Sequence, residues 1–249
     1  MSIDRRRFFK IAGLTALAAE IPGRTGALED GGKEPQGTRW AIVIDLPRCH
    51  EHPDCTACIR ACHTTHNVPS IPDERHEIKW LWKEPFSRAF PDRKSRYLSG
   101  ELTEKPVMLL CNHCDDPPCV GVCPTRATWK REDGVVMMDW HRCIGCRYCV
   151  AACPYGSRSF NWVDPGGFIA ERNPDFPTRT RGVVEKCNLC EERLAEGEAP
   201  ACAEACPYGA IHFGDLGDEN STVRRLLGER FAVRRKPQLG TEPQVYYLV

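Results

Sequence analysis

Sixteen cysteines carry the chemistry that this 249-residue chain offers. They fall into four groups of four: Cys49-x5-Cys55-x2-Cys58-x3-Cys62, Cys111-x2-Cys114-x4-Cys119-x3-Cys123, Cys143-x2-Cys146-x2-Cys149-x3-Cys153, and Cys187-x2-Cys190-x11-Cys202-x3-Cys206. The third group, closed by Pro154, has the C-x2-C-x2-C-x3-C-P spacing that holds cubane [4Fe–4S] clusters. Its first three cysteines lie on one tight loop, so three thiolates can converge on one cubane. The fourth sits four residues on, at the start of a helix, about 6 Å further along the axis, and is aimed at a different cluster. The other groups keep the C-x3-C ending and widen the earlier gaps as loop insertions. Sixteen thiolates match the need of four cubanes with no cysteine left over.

Other chemistries fit less well. Structural zinc takes four ligands as two pairs, a poor match to a C-x2-C-x2-C-x3-C-P run. Neighbouring cysteines in a C-x2-C loop rarely form stable structural disulfides. Covalent haem needs C-x2-C-H, and Cys58-x3-Cys62-His63 has one residue too many. The first group is the least regular: its x5 gap carries His50 and His52, and either could ligate in place of Cys49.

Short strand-like runs flank the groups and would position them. They are residues 40–45, 106–110, 127–129 and 135–139 around the hairpin signal Glu132-Asp133-Gly134, then 159–163 and 210–213. Short helices are expected to begin at each C-x3-C. The fold class expected is α+β, with tandem bacterial ferredoxin-like modules, one inserted in the other, and long loops. Groups two and three, close in sequence, should form the inserted module over residues 106–164. Groups one and four should close the other across it, from residues 39–105 plus 165–249.

Ahead of these lies an export-like segment. Asp4-Arg5-Arg6-Arg7-Phe8-Phe9-Lys10 matches a twin-arginine pattern, and the uncharged run 11–19 is too short to span a bilayer. Residues 1–20 are read as the signal region, with a cleavage site at Ala16-Leu17-Ala18, and 21–38 as a flexible lead-in rich in Gly, Pro and charge. A route that exports folded proteins suits clusters assembled before export. The 34 basic and 34 acidic residues balance, without the basic excess of a nucleic-acid binder. No stretch approaches the roughly 20 apolar residues of a membrane span.

The runs Cys111-Asn112-His113-Cys114, Cys143-Ile144-Gly145-Cys146-Arg147-Tyr148-Cys149 and Cys206-Pro207-Tyr208-Gly209-Ala210 resemble the four-cluster ferredoxin-type subunits of polysulfide, dimethyl sulfoxide, formate and nitrite reductase systems. The resemblance covers about residues 39–249. Segments 48–69 and 77–84 and the tail 240–248 are similar to the exported ferredoxin subunits, of DsrO type, in DsrMKJOP sulfur-metabolism complexes; for 77–84 an ordinary strand with packed tryptophans reads equally well. The resemblance implies that Cys49, Cys55, Cys58 and Cys206 hold one cluster, and Cys187, Cys190, Cys202 and Cys62 its partner. It gives Cys111, Cys114, Cys119 and Cys153 to a third, and Cys143, Cys146, Cys149 and Cys123 to the fourth. One departure is His63 after Cys62, where the other groups have proline.

The same resemblance implies an electron relay of four [4Fe–4S] clusters on the extracytoplasmic (periplasmic) side of a quinone-linked respiratory complex of sulfur metabolism. Its expected partners are an integral-membrane NrfD-type subunit and, in the finer reading, a multihaem cytochrome c. The alternative is the electron-transfer subunit of a molybdopterin oxidoreductase such as a polysulfide, tetrathionate or dimethyl sulfoxide reductase. No nucleophile–base pair, Gly-x-Gly-x-x-Gly or Walker A run is present, so catalysis by this chain alone is not expected. The basic residues Arg224, Arg225, Arg230, Arg234, Arg235 and Lys236 could dock an acidic partner or lipid head groups, or form a solvated helix face.

Overall fold

A run of apolar, largely β-branched residues that has no polar alternation must find cover on both faces, which makes it an interior strand. Residues Ala41–Ile44 are such a run, and in the computed structural model, which describes residues 37–93 and 95–249, all four are buried. The strands, in chain order, are β1 (Trp40–Asp45), β2 (Leu81–Pro85), β3 (Pro106–Leu110), β4 (Thr128–Lys130), β5 (Val136–Met138), β6 (Ser159–Phe160), β7 (Val184–Glu185), β8 (Ile211–Asp215), β9 (Ala232–Val233) and β10 (Val245–Leu248). The largest sheet has the order β8-β1-β10-β9. In it β1 runs antiparallel to β8, with Ile42 opposite Phe213, and parallel to β10, with Val43 opposite Tyr246. Helix Thr222–Glu229 covers one face through Val223, packed with Val43 and Leu248.

Three antiparallel two-stranded ribbons complete the fold: β2–β3, β4–β5 and β6–β7. The expected hairpin around Glu132-Asp133-Gly134 is β4–β5. Gly134 has φ +84°, and a Cβ there would lie 1.4 Å from a guanidinium nitrogen of Arg39, so the turn excludes a side chain on two grounds. The run 159–163 is a strand only over Ser159–Phe160, because its partner β7 is two residues long. Segment 77–84 does hold a strand with packed tryptophans: β2 pairs with β3 along its whole length, and Trp80 and Trp82 are buried.

Short helices follow the cysteine spacing, but the fourth cysteine, expected where a helix starts, lies where one ends. In groups two, three and four the third cysteine lies inside a helix (Pro118–Gly121, Tyr148–Ala152, Ala201–Glu204), and the fourth lies at or just beyond its end. A proline follows each of those fourth cysteines, and the residue before a proline is pushed out of helical geometry. Cys153, for example, has extended backbone at φ −79°, ψ 110°. In group one His63 imposes no such stop, and the helix runs on from Ala57 to Thr65 with Cys62 in its interior.

The main core joins Trp80, Phe90, Leu109, Val245 and Tyr247 with five cysteines, Cys58, Cys62, Cys111, Cys187 and Cys202. The thiols are therefore part of the hydrophobic interior. The architecture is mixed α and β, in keeping with ferredoxin-like domains, and the described residues fall within one compact unit. Among them no helix is long and apolar enough to cross a membrane. The twin-arginine segment, its cleavage site and nearly all of the lead-in lie outside the described residues.

The six basic residues of 224–236 do not present one free face. Arg230 pairs with buried Asp45, Arg234 with Glu242 at 2.6 Å, and Arg225 with Glu229 at 3.3 Å. Arg224 donates to the Leu216 carbonyl at 2.9 Å, buried Arg235 to the Ala89 carbonyl at 3.0 Å, and Lys236 to the Pro154 carbonyl at 2.5 Å. Arg230, Arg235 and Lys236 fasten the C-terminal segment to distant parts of the chain, while Arg224, Arg225 and Arg234 pair locally.

Candidate metal centres

The structure gathers the cysteines across group boundaries. Cys111, Cys114, Cys119 and Cys153 line one small cavity, closed by Pro117, Pro118, Tyr155 and Arg158. Cys123, Cys143, Cys146 and Cys149 line a second, with Ala127, Met138 and Val184. Cys49 and Cys58 both have Cys55 and Cys206 as electrostatic neighbours. Cys62 has Cys187, Cys190 and Cys202. Cys49 thus faces its own group and Cys206. His50 instead lies against Lys105 and the Pro106 backbone, and His52 stacks on Tyr208 with ring centroids 3.5 Å apart.

Loop backbone geometry does the gathering. Residues in the left-handed region sit inside each of the later motifs: His113 (φ 41°), Gly145 (φ 69°), Arg147 (φ 62°), Leu189 (φ 62°) and Cys190 (φ 53°). Such turns aim successive N–H groups into a concavity that suits anions. The N–H of Leu189 reaches Cys187 Sγ at 3.4 Å, that of Ala201 reaches Cys190 Sγ at 3.3 Å, and that of Ala210 reaches Cys206 Sγ at 3.3 Å.

The donor set suits an iron–sulfur group. All sixteen cysteines are free thiols. Burial first, and crowding by other thiols second, pushes Cys58 up to about 11 and Cys114 and Cys187 up to about 12. Buried Cys62 and Cys202 are raised well above the ordinary value for the same two reasons. Four mutually repelling thiols in a dry pocket are poor anions by themselves. A cationic metal core removes that penalty, because a coordinating thiol is deprotonated outright. Cys123 is the exception: burial raises it, but N–H donors from Thr128, Ala127 and Thr125 and the Thr125 hydroxyl outweigh that and lower it.

Cationic and polar side chains that spacing did not single out surround these sets. Arg158 Nη2 donates to Cys119 Sγ at 3.1 Å and to Thr128 Oγ1 at 2.8 Å. Lys186, 1% exposed, donates to the carbonyls of Val136 and Cys187. His66 bonds Glu192 at 2.7 Å, stacks on Trp80, and lies with Glu192 beside Cys190. The only sequence signal for Lys186 is that it precedes Cys187, and for His66 that it lies in the 48–69 segment of the resemblance; for Arg158 there is none, because its burial depends on contacts with distant strands.

Comparison with known proteins gives the family. The 4Fe-4S dicluster domain family matches residues 106–165, and a second form of that domain matches residues 142–210. An Hdr-like menaquinol oxidoreductase iron-sulfur subunit from Archaeoglobus fulgidus is 38% identical over 98% of this chain and 97% of its own length. The iron-sulfur cluster-binding subunit of a menaquinone reductase from Nitratidesulfovibrio vulgaris is 40% identical over 84% of this chain and 88% of its own. A tetrathionate reductase subunit from Salmonella typhimurium is 35% identical over all of this chain and 89% of its own length. The chain belongs to this family of ferredoxin-type iron–sulfur subunits with [4Fe–4S] domains. Its function is that of the family, electron transfer within an oxidoreductase complex.

Proposed function

We propose that the chain is a four-centre relay, with ligand sets Cys49/Cys55/Cys58/Cys206, Cys62/Cys187/Cys190/Cys202, Cys111/Cys114/Cys119/Cys153 and Cys123/Cys143/Cys146/Cys149. When bound, each [4Fe–4S] group supplies one-electron redox chemistry, at a potential tuned by hydrogen bonds, charge and exposure. The observation that supports the reading is the order of the sets. Cys58 acts electrostatically on Cys62 and Cys202, Cys111 on Cys187, and Cys119 on Cys149, which orders the sets in a single file. On this reading the first and second sets belong to one ferredoxin-like module (39–105 plus 165–249) and the other two to the inserted module (106–164). The ribbons β2–β3 and β6–β7 then stitch the two modules together.

In the cell we place the relay on the extracytoplasmic face of a quinone-linked membrane complex of sulfur metabolism, of DsrO type, reached by twin-arginine export. Its partners there would be an NrfD-type membrane subunit and a multihaem cytochrome c. The menaquinol- and menaquinone-linked relatives support the quinone link. The alternative, the electron-transfer subunit of a molybdopterin reductase, is favoured by the tetrathionate reductase relative, whose match spans the whole chain. Isolating the native complex and analysing it for haem against molybdopterin separates the two. The count of centres is tested by iron and acid-labile sulfide per anaerobically purified chain: about sixteen irons, four per cubane, is expected. About twelve would remove one set, with the irregular first group the prime suspect.

A further inference from the structure

Two buried cations lie where consecutive cysteine sets meet. The hydrogen-bond partners of Lys186 are two carbonyls, and the titratable groups that act on it most strongly are Cys111, Arg158, Cys187 and Cys119. Arg158, 4% exposed, bonds Cys119 Sγ, Thr128 Oγ1 and Met138 Sδ, and its charged neighbours are Cys119, Cys149 and Cys111. Neither has a carboxylate among these partners. The contrast is Arg179, equally buried, which Glu185 neutralises at 2.6 Å. An unpaired buried charge is costly, and burial alone pushes the Lys186 ammonium pKa down, so the charge is kept where an opposite charge is supplied. Among the groups that act most strongly on Lys186 and Arg158, those that can become anions are thiols of the candidate centres.

We infer that Lys186 and Arg158 are fixed counter-charges that raise the reduction potentials of the centres they adjoin. This rests on the four-set reading above. Lys186 stands between the Cys62/Cys187/Cys190/Cys202 set and the Cys111/Cys114/Cys119/Cys153 set. Arg158 stands between the latter and the Cys123/Cys143/Cys146/Cys149 set. A centre that gains an electron gains a negative charge, which a cation held in a dry, weakly screening interior stabilises more than the oxidised form. The Cys111/Cys114/Cys119/Cys153 set meets both cations, the two sets beside it meet one each, and the Cys49/Cys55/Cys58/Cys206 set meets neither. The relay is thereby given part of its potential profile by two side chains that ligate no metal; beside the first set the cation is Lys83, which donates to the Cys55 carbonyl at 2.6 Å. His113, buried among Arg39, Arg158 and Lys186, is held neutral by burial and by those three charges, and so adds no further cation.

The test is an EPR-monitored redox titration of the full chain, purified anaerobically with its metal, for Lys186→Met, Lys186→Arg, Arg158→Gln and Arg158→Lys. In Lys186→Met two of the one-electron steps should move to lower potential by at least a tenfold change in reduction equilibrium, about 59 mV for one electron. Lys186→Arg should recover most of that shift. Arg158→Gln should move two steps, one of them also moved by Lys186→Met, with Arg158→Lys restoring them. Unmoved potentials in either neutral variant at full iron and sulfide overturn the inference. If both neutral variants lose iron while both charge-retaining variants keep it, the counter-charge requirement stands; if the charge-retaining variants lose it equally, packing is the cause and the inference falls. A wild type with fewer than four one-electron steps instead contradicts the four-set reading itself, through a measurement independent of the variants.

Discussion

Arg179 and Glu185 show how much one interior ion pair can organise. Both side chains are 0% exposed and 2.6 Å apart. Glu185 also accepts from Trp80 Nε1 at 2.9 Å and Asn161 Nδ2 at 2.5 Å, while Arg179 donates to the carbonyls of His66, Asn67 and Pro177. Removing one partner strands the other charge, so Glu185→Ala should cost about 3–5 kcal/mol. In a chain of this size that is an apparent Tm lower by about 6–20 °C in a thermal melt of the metal-loaded protein, at about 2–4 °C per kcal/mol. Asp45 makes a contribution that depends on pH. Burial raises its carboxyl, but the Arg230 guanidinium and the Arg48 N–H outweigh that and hold it below its ordinary value of 3.8. A depressed carboxylate stabilises the fold above its unfolded pKa and loses that contribution as pH falls through the folded one. Asp45→Asn should therefore melt lower than the wild type at pH 7, and the gap should narrow as melts are repeated below about pH 5.

At the scale of elements, loops and strand ends carry the constraints. Gly145 sits in the Cys143–Cys149 loop at φ +69°, and a Cβ there would meet the Gly182 carbonyl oxygen at 2.3 Å. Gly145→Ala must move backbone, which should lower iron content by about one cubane and leave the other sets loaded. The helix Ala57–Thr65 offers the complementary test. His63→Pro would remove an interior N–H and the contact of His63 with the Leu81 carbonyl at 3.1 Å, while ending the helix at Cys62 as prolines do in the other groups. A loss of about 3 kcal/mol or more is expected, read as a lower apparent Tm. The C-terminal strand is equally committed: Tyr247 is fully buried beside Phe90 and donates to the Met108 carbonyl at 3.2 Å. Tyr247→Ala should cost about 3–5 kcal/mol, as large aromatic deletions do, checked by the same melt.

For the molecule as a whole, the proposed four-centre relay predicts that position along the file, not membership of a cysteine group, decides the effect of losing a centre. Cys153 belongs to the third group in sequence but lines the cavity of the second. Cys153→Ser should lower iron by about four per chain and interrupt electron exchange between the two ends. Cys206→Ser should remove as much iron but leave the remaining three sets in electronic contact. Rapid-freeze spectroscopy after reduction from one end reads the difference; equal interruption by both variants would refute the linear order.

Much of this was legible before any coordinates. Cysteine spacing defined the kind of metal group, because a C-x2-C-x2-C-x3-C-P run is local geometry and local geometry is written in a few adjacent residues. The strands 40–45 and 106–110 and the hairpin at Gly134 were readable for the same reason. What only the tertiary structure decided were the relations between distant segments. These include the parallel pairing of β1 with β10 and the anchoring of Arg230, Arg235 and Lys236 on Asp45, Ala89 and Pro154. They include above all the burial of Lys186 and Arg158 between cysteine sets. A charged residue reads as surface until packing encloses it, and enclosure depends on chain segments far apart in sequence, whose meeting no spacing records.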